Sequence, residues 1–158
     1  MATDGTAGPR IRHLDDADWI EVKAQRHGVE RVSIWEKWLE FTPRCLSLYA
    51  RYDPNVVVER HGHKSDHLVF VIEGEITVGG EHCAAGSHIF LDEGAVFGPI
   101  VAGPEGAHLF EVMMGDPRAV PADKPEFRAL CAERGVEALP NPPIDPALLP
   151  EWFGERTD

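Results

Sequence analysis

The chain has 158 residues, of which 43% are hydrophobic, and it carries a formal net charge of −12. This length accommodates one domain with a buried core. The negative charge disfavours nucleic acids and anionic membranes as partners, because both require basic surfaces. The first residues lack the apolar segment of a signal peptide, and no apolar run approaches membrane-spanning length, so we expect a cytoplasmic protein.

The first third of the chain predicts a disordered terminus followed by strands. Residues 1–10 are small and polar and contain Gly and Pro, which favours disorder. A first short strand is expected at residues 19–22, and a second from residue 29 to about residue 36. Residues 44–52 alternate apolar and polar side chains, which is typical of a strand with one buried face.

Three histidines lie close together in the middle of the chain. His61 and His63 are two residues apart in one predicted strand, so their side chains project from the same face. A short turn follows, and His67 opens the next predicted strand, which can bring a third imidazole beside the first two. Three imidazoles on one site suit Zn, Fe, Ni or Cu. The alternative interpretation is a polar edge strand that happens to be rich in histidine.

Further short strands, separated by glycines, are predicted up to residue 114. Gly74 is expected at a bend between two strands, and the Gly79-Gly80 pair at a hairpin. Residues 97–103 and 107–114 are predicted as two separate strands. Many short strands with closely spaced turns indicate an all-β barrel or sandwich.

The composition changes after residue 115. Asp123 can cap one helix that has Pro125 in its first turn and ends at Gly135. The following tail is rich in proline, which favours extended structure. Trp152 and its neighbours are too apolar for a free tail, so we expect the tail to lie across the barrel or across a partner subunit. The same need for burial predicts a homodimer.

The histidine stretch resembles the first motif of the cupin family. That motif contains His-x-His, then Glu, then Gly after six further residues. His61 and His63 match the pair, His67 stands where the family has Glu, and Gly74 matches the final Gly. The resemblance covers roughly residues 46–114.

The second cupin motif is matched only in part. Gly86 and Gly94 fit its glycines, whereas Asp92 replaces its Pro, Phe97 its metal-binding His and Val101 its Asn. The resemblance implies an RmlC-like, double-stranded β-helix or jelly-roll barrel with one C-terminal helix and a Pro-rich tail. We therefore expect a barrel at residues 11–115, with residues 116–158 packed on it.

The metal interpretation defines a site with an apolar wall. His61, His63 and His67 would hold one divalent transition metal, with Zn or Fe(II) as first candidates and Mn, Ni or Cu as alternatives. Val69 and Val71 share the inward parity of His67, and with Phe97 they would line the substrate pocket.

Three further residues are candidates near this site. Glu111 and His108 have opposite parity on one predicted strand, so only one of them faces inward. An inward Glu111 would be a metal ligand or a general base. The alternative for Glu111 is an outward, solvated carboxylate. Asp66 could replace His67 as a ligand if the turn is shifted, and His108 is an additional candidate for contacting metal or substrate.

The resemblance implies a class of function rather than one reaction. We predict a metal-dependent cupin enzyme that acts on a small chelating organic anion, as an oxygenase or a lyase. The alternatives are a non-catalytic cupin that binds a small ligand and a cupin with a structural metal site.

Overall fold

The computed structural model describes residues 7–121 and 124–154, without the side chain of Pro121. Within these ranges the chain forms twelve β-strands and two α-helices. The all-β prediction with a C-terminal helix is therefore confirmed. The expected disorder at residues 1–10 lies mostly outside the described residues, as does the proposed cap Asp123, while residues 7–10 have no regular secondary structure.

The strands are short apart from three that exceed ten residues. In chain order they are β1 (Ile20–His27), β2 (Glu30–Thr42), β3 (Cys45–Tyr52), β4 (Val57–Val58), β5 (His61–His63), β6 (His67–Val78), β7 (Glu81–Ala84), β8 (His88–Leu91), β9 (Val96–Phe97), β10 (Ile100–Met113), β11 (Ala119–Pro121) and β12 (Val136–Ala138). The helices are α1 (Lys124–Arg134) and α2 (Glu151–Gly154).

The strands form two antiparallel sheets. The larger sheet has the order β12-β1-β2-β3-β10-β6-β7, with β4 paired to β10 and β8 paired to β6. The smaller sheet has the order β11-β5-β9. All pairings are antiparallel, as expected for a jelly roll.

The core lies between these sheets and follows the period of two in the sequence. Along β3, Leu46, Leu48, Ala50 and Tyr52 are buried while the residues between them are half-buried. Alternate residues of β6 and β10 face the same interior. Burial of these apolar side chains stabilises the barrel and fixes the strand register.

The first two strands are longer than predicted. β1 extends to His27 because it pairs with β2 as far as Glu30. β2 does not end near residue 36 but continues to Thr42, because its second half pairs with β3. Long-range pairing with neighbouring strands, rather than local propensity, determines both ends.

Gly74 does not separate two strands, so that prediction is wrong. β6 continues through it with a local irregularity. Gly74, with a φ of +73°, pairs with Ala107 of β10, which follows Gly106, whose φ is +76°. A Cβ at Gly74 would overlap the carbonyl oxygen of Gly106. The strands predicted at 97–103 and 107–114 are likewise joined in β10, whose pairing shifts between Ala102 and Ala107.

The predicted histidine-bearing strand is divided in two. β4 pairs with β10 in the larger sheet, whereas β5 pairs with β9 and β11 in the smaller sheet. The chain changes sheet at Glu59 and Arg60. This change places His61 and His63 on the small sheet, opposite the start of β6.

The C-terminal segment packs on its own barrel. α1 has Pro125 in its first turn and is followed by Gly135 with a φ of +67°, as predicted. In the tail, Trp152 and Phe153 pack on Phe41, with ring centroids 5.5 and 5.3 Å away. These side chains are covered within one chain, so their burial does not require a partner subunit. The homodimer stays a prediction. No helix in the described part of the chain is long and apolar enough to cross a membrane.

Candidate metal centre

Three imidazoles meet where the small sheet faces the start of β6. The ring centroids of His61 and His63 are 5.2 Å apart, and those of His63 and His67 are 4.7 Å apart. Imidazoles bound to one tetrahedral metal have centroids about 5 Å apart, given metal–nitrogen bonds of about 2 Å. Phe97 lies against the cluster, 5.3 Å from His61 and 5.7 Å from His67. We call these three histidines the histidine cluster.

Two histidines of the cluster are fixed by backbone carbonyl oxygens. His61 Nδ1 lies 2.8 Å from the Glu59 oxygen, and His63 Nδ1 lies 2.7 Å from the Pro117 oxygen. A carbonyl oxygen only accepts hydrogen bonds, so Nδ1 carries the hydrogen in the neutral ring. Nε2 then keeps its lone pair, which is the tautomer that metal-binding histidines use.

The third histidine is buried without a hydrogen-bond partner. His67 is 2% exposed, and neither of its ring nitrogens bonds to any described residue. A buried polar group left in this way costs about 1–3 kcal/mol. A ligand on one nitrogen would remove part of that cost. The chemistry of the three rings thus suits a metal ion, because each ring has a nitrogen available and the buried one lacks a partner, whereas their positions among the described residues do not form a complete site.

Burial also keeps the cluster neutral. The apolar surroundings lower the pKa of His67 to about 3 and that of His63 to about 4. The pKa of His61 is lowered by burial as well, although the Glu59 carbonyl opposes this. Neutral imidazole is the form that binds metal, so protons do not compete for these rings near neutral pH.

Of the two candidates on β10, Glu111 is the one that faces inward. It is 6% exposed, and its Oε1 lies 4.0 Å from Nε2 of His67. Burial, with a smaller contribution from the charge of Glu36, raises the pKa of Glu111 to about 8. The carboxyl group is therefore mostly protonated at neutral pH.

The other two candidates lie outside the cluster. His108 is on the opposite face of β10, where its Nδ1 lies 2.7 Å from the Tyr49 hydroxyl. Asp66 uses Oδ1 to accept a hydrogen bond from the amide of Glu93 at 2.9 Å. Strand parity explains the position of His108, which is one residue out of phase with the inward-facing Leu109. Asp66 lies in the turn before β6 and not on a strand.

The apolar wall is where parity predicts it. Val69 and Val71 follow His67 on the inner face of β6 and are fully buried. Phe97 is also buried and pairs across the small sheet with His61. Of the three, Phe97 contacts the cluster, and their role as a substrate pocket stays a prediction.

The sequence profile of the ChrR cupin-like domain matches residues 8–114. The chain belongs to this cupin family. No curated protein matches the chain. Solved structures with the same fold match the chain at low sequence identity.

An acetylacetone dioxygenase from Acinetobacter johnsonii superposes with a TM-score of 0.60 at 16% identity, covering 79% of this chain and 85% of that one. The polyketide cyclase RemF from Streptomyces resistomycificus gives 0.59 at 19% identity, with 81% and 97% covered. The complex of Rhodobacter sphaeroides SigE with the anti-sigma ChrR contains a similar chain, with a TM-score of 0.50 at 17% identity and coverages of 65% and 52%. At these identities the likeness shows the fold alone.

A second inward carboxyl group of this cupin was missed from the sequence. Glu36 lies on β2 opposite Ala50, with the inward parity of Ile34 and Trp38. The Trp38 indole donates a hydrogen bond to its Oε2 at 2.8 Å, and burial raises its pKa. Its spacing of two residues from Ile34 indicates the inward face of the strand. The predicted strand ends at this residue, so the sequence alone assigns Glu36 to neither face.

The side chains of the histidine cluster in this cupin are not positioned as a complete metal site. Within residues 7–121 and 124–154, no group of three or more His, Cys, Asp and Glu side chains is preformed to hold a metal ion. Metal binding therefore requires the side chains to adjust. His67 is the ring of the cluster that no hydrogen bond to a described residue holds in place.

Proposed function

We propose that this protein is a metal-dependent cupin enzyme that acts on a small chelating organic anion. His61, His63 and His67 hold one divalent transition metal through their Nε2 atoms or, for His67, through either ring nitrogen. The observation that carries the proposal is the buried, unpartnered His67 beside two rings whose Nε2 lone pairs are free. A structural histidine would instead have a hydrogen-bond partner.

The donor set indicates which metals fit. Three neutral imidazoles with a carboxyl group nearby suit Zn(II) or Fe(II), and Mn, Ni and Cu are alternatives. A metal bound there would supply a Lewis acid that keeps its full positive charge and an open position for an anion. This charge makes an anionic chelator the best complement for the site.

The surrounding residues exclude water and hold a proton. Val69, Val71 and Phe97 form an apolar wall, which strengthens electrostatic attraction inside the site. Glu111 is close to the cluster and has a pKa of about 8, so it can donate or accept a proton near neutral pH. We assign Glu111 the role of general acid or base, with metal ligation as its alternative.

The names of two structural neighbours suggest a substrate class. One is called an acetylacetone dioxygenase and the other a polyketide cyclase. Acetylacetone is a diketone, and its enolate is a small chelating anion of the kind that the cluster fits. An oxygenase or a lyase that acts on such an enolate, or on a carboxylate with a neighbouring oxygen or nitrogen, is the proposed reaction type.

The test is a titration with small anions in the presence and absence of metal. Metal-loaded and metal-free protein are titrated with acetylacetone, hydroxy acids and amino acids, and oxygen uptake is followed for the Fe(II) form. We expect at least one of these anions to bind at least tenfold more tightly to the loaded protein. His88→Ala should behave as the wild type, because His88 is exposed on β8. Equal binding with and without metal would contradict the enzyme proposal.

A non-catalytic, ligand-binding cupin is the second candidate. It is favoured by the family match to the ChrR cupin-like domain and by the structural likeness to a chain of the complex between SigE and the anti-sigma ChrR. A domain of this kind would bind a metal or a small ligand without turnover. Tight, metal-dependent binding with no product formed from any of the tested anions would favour it over the enzyme.

A further inference from the structure

A cavity lies between helix α1, strand β12 and Lys23 of strand β1. Its volume is about 530 Å³, which is in the range of sites for small organic molecules. Its walls are α1, the segment from β12 to Asn141, and the side chains of Lys23 and Glu59. Most of the lining comes from residues 124–141, which follow the family match at residues 8–114.

The floor of the cavity is apolar. α1 is only partly packed on the barrel, since Cys131 is its one buried residue and Phe127 is half-buried. Phe127, Cys131, Val136 and Leu139 line the space that the helix leaves open. An apolar ligand body placed there would remove this surface from water, which favours binding.

The rim of the cavity is cationic. Lys124 and Arg128 are four residues apart on α1, so they lie on the same side of the helix. Neither forms an ion pair or hydrogen bond with residues 7–121 or 124–154. With Lys23 and Glu59 the lining carries three cations and one carboxylate, in a chain whose net charge is −12. A local excess of positive charge on so acidic a protein favours an anion.

The third cation is held by a carboxylate and a ring. Lys23 Nζ lies 2.7 Å from Glu59 Oε2 and 5.0 Å from the centroid of Phe127. Lys23 is thus paired already, and Lys124 and Arg128 are the two cations left for a ligand. The main-chain oxygen of Glu59 accepts from His61, but no histidine of the cluster lines the cavity.

We propose that this cavity binds an amphipathic organic anion, with one carboxylate or similar acidic group on an aromatic or aliphatic body. The acidic group pairs with Lys124 and Arg128, and the body packs on Phe127, Val136 and Leu139. This site is independent of the metal proposal, because no residue of the histidine cluster lines it.

Calorimetric titration with 1-naphthoate and octanoate, at low ionic strength, tests the site on the full-length protein. We expect one of the two to bind, and the matching neutral alcohol to bind at least tenfold more weakly. Lys124→Ala with Arg128→Ala should weaken binding at least tenfold. Arg134→Ala is the control, because it removes one positive charge from the same helix outside the cavity.

Two further variants test separately the charge of the cavity lining and the volume of the cavity. Glu59→Gln leaves Lys23 unpaired and should tighten binding severalfold, whereas Ala138→Trp fills the cavity and should abolish it. The proposal is overturned if neither anion binds, if the alcohol binds as tightly as the acid, or if the double variant on α1 binds as the wild type does. Circular dichroism of each variant confirms that it is folded before it is titrated.

Discussion

His67 Nε2 and Glu111 Oε1 lie 4.0 Å apart inside the barrel, on the neighbouring strands β6 and β10. This separation is too long for a hydrogen bond. The pKa of His67 is lowered to about 3 and that of Glu111 is raised to about 8, both chiefly by burial. Both groups are therefore neutral at pH 7 in the metal-free protein, and the space between them holds no ion pair.

Glu111→Gln should stabilise the metal-free protein at alkaline pH. The pKa of Glu111 is about 8 in the folded state, above its ordinary value of 4.5. Its contribution to stability is thus fully present below about pH 4.5 and is lost as the pH rises to about 8. The free energy of unfolding of the variant minus that of the wild type should increase by about 4 kcal/mol from pH 4.5 to pH 8.5. Urea unfolding at both pH values measures this, and a difference that does not change with pH would contradict the buried, protonated carboxyl group.

Metal binding should release a proton from Glu111. A divalent ion on the cluster favours the charged carboxylate, whereas the histidines hold no proton to lose, since the pKa values of His63 and His67 are about 4 and 3. We expect about one proton released per zinc bound at pH 7 in the wild type, and close to none in Glu111→Gln. Calorimetry in two buffers of different ionisation enthalpy gives this number. Equal release by both proteins would show that the proton comes from elsewhere.

Gly74→Ala should destabilise the barrel more than Gly80→Ala. Both glycines have positive φ, +73° and +85°, so alanine at either costs about 1 kcal/mol or more in backbone strain. At Gly74 the new Cβ would also overlap the Gly106 carbonyl, whereas at Gly80 it meets nothing. We expect a loss of about 3 kcal/mol or more at Gly74 in urea unfolding. Similar losses at both positions would mean that the contact between β6 and β10 is looser than the structure shows.

A second copy of the chain should pack on the outer face of β6 and β8. Phe70, Ile72 and Phe90 there are 39%, 44% and 50% exposed. Together they present on the order of 300 Å² of apolar surface, a substantial part of the about 800 Å² per partner that a stable dimer buries. Light scattering should give a dimer at micromolar concentration.

The control for this dimer is an exposed apolar residue elsewhere. Phe70→Glu with Phe90→Glu should give monomers, because each places a charge in the centre of the interface. Val29→Glu should leave the dimer intact, since Val29 is equally apolar but lies in the turn between β1 and β2. A monomeric wild-type protein would contradict the dimer, which Trp152 no longer supports.

Much of the fold could be predicted because short sequence patterns determine it. The alternation in β3 and the glycine pair after β6 give the same result in the sequence as in the structure. The ends of β2 and the continuity of β6 and β10 could not be predicted in this way. They depend on pairing with distant strands and on the close approach of Gly74 to the Gly106 carbonyl, and this information is absent from any short stretch of sequence.

The candidate site, like the fold, could be predicted only in part from the sequence. Parity predicted that His61 and His63 lie together and that Val69 and Val71 are buried with His67. It left open whether Glu111 or His108 faces inward, because the face of a strand depends on which side the second sheet covers. Glu36 and the carbonyl partners of the cluster come from other elements, so only the folded chain brings them to the site.

The most direct test of the proposed metal centre is the metal content of the wild type, His63→Ala, His67→Ala and His88→Ala after dialysis against equimolar Zn(II) and, without oxygen, Fe(II). The wild type and His88→Ala should each hold one metal per chain, and an X-ray absorption spectrum should show imidazole nitrogen ligands. His63→Ala and His67→Ala should lose the metal while their far-ultraviolet circular dichroism stays that of a β protein, because the apolar core is unchanged. Stoichiometric metal in His63→Ala or His67→Ala, or none in the wild type, would contradict a metal centre at the histidine cluster.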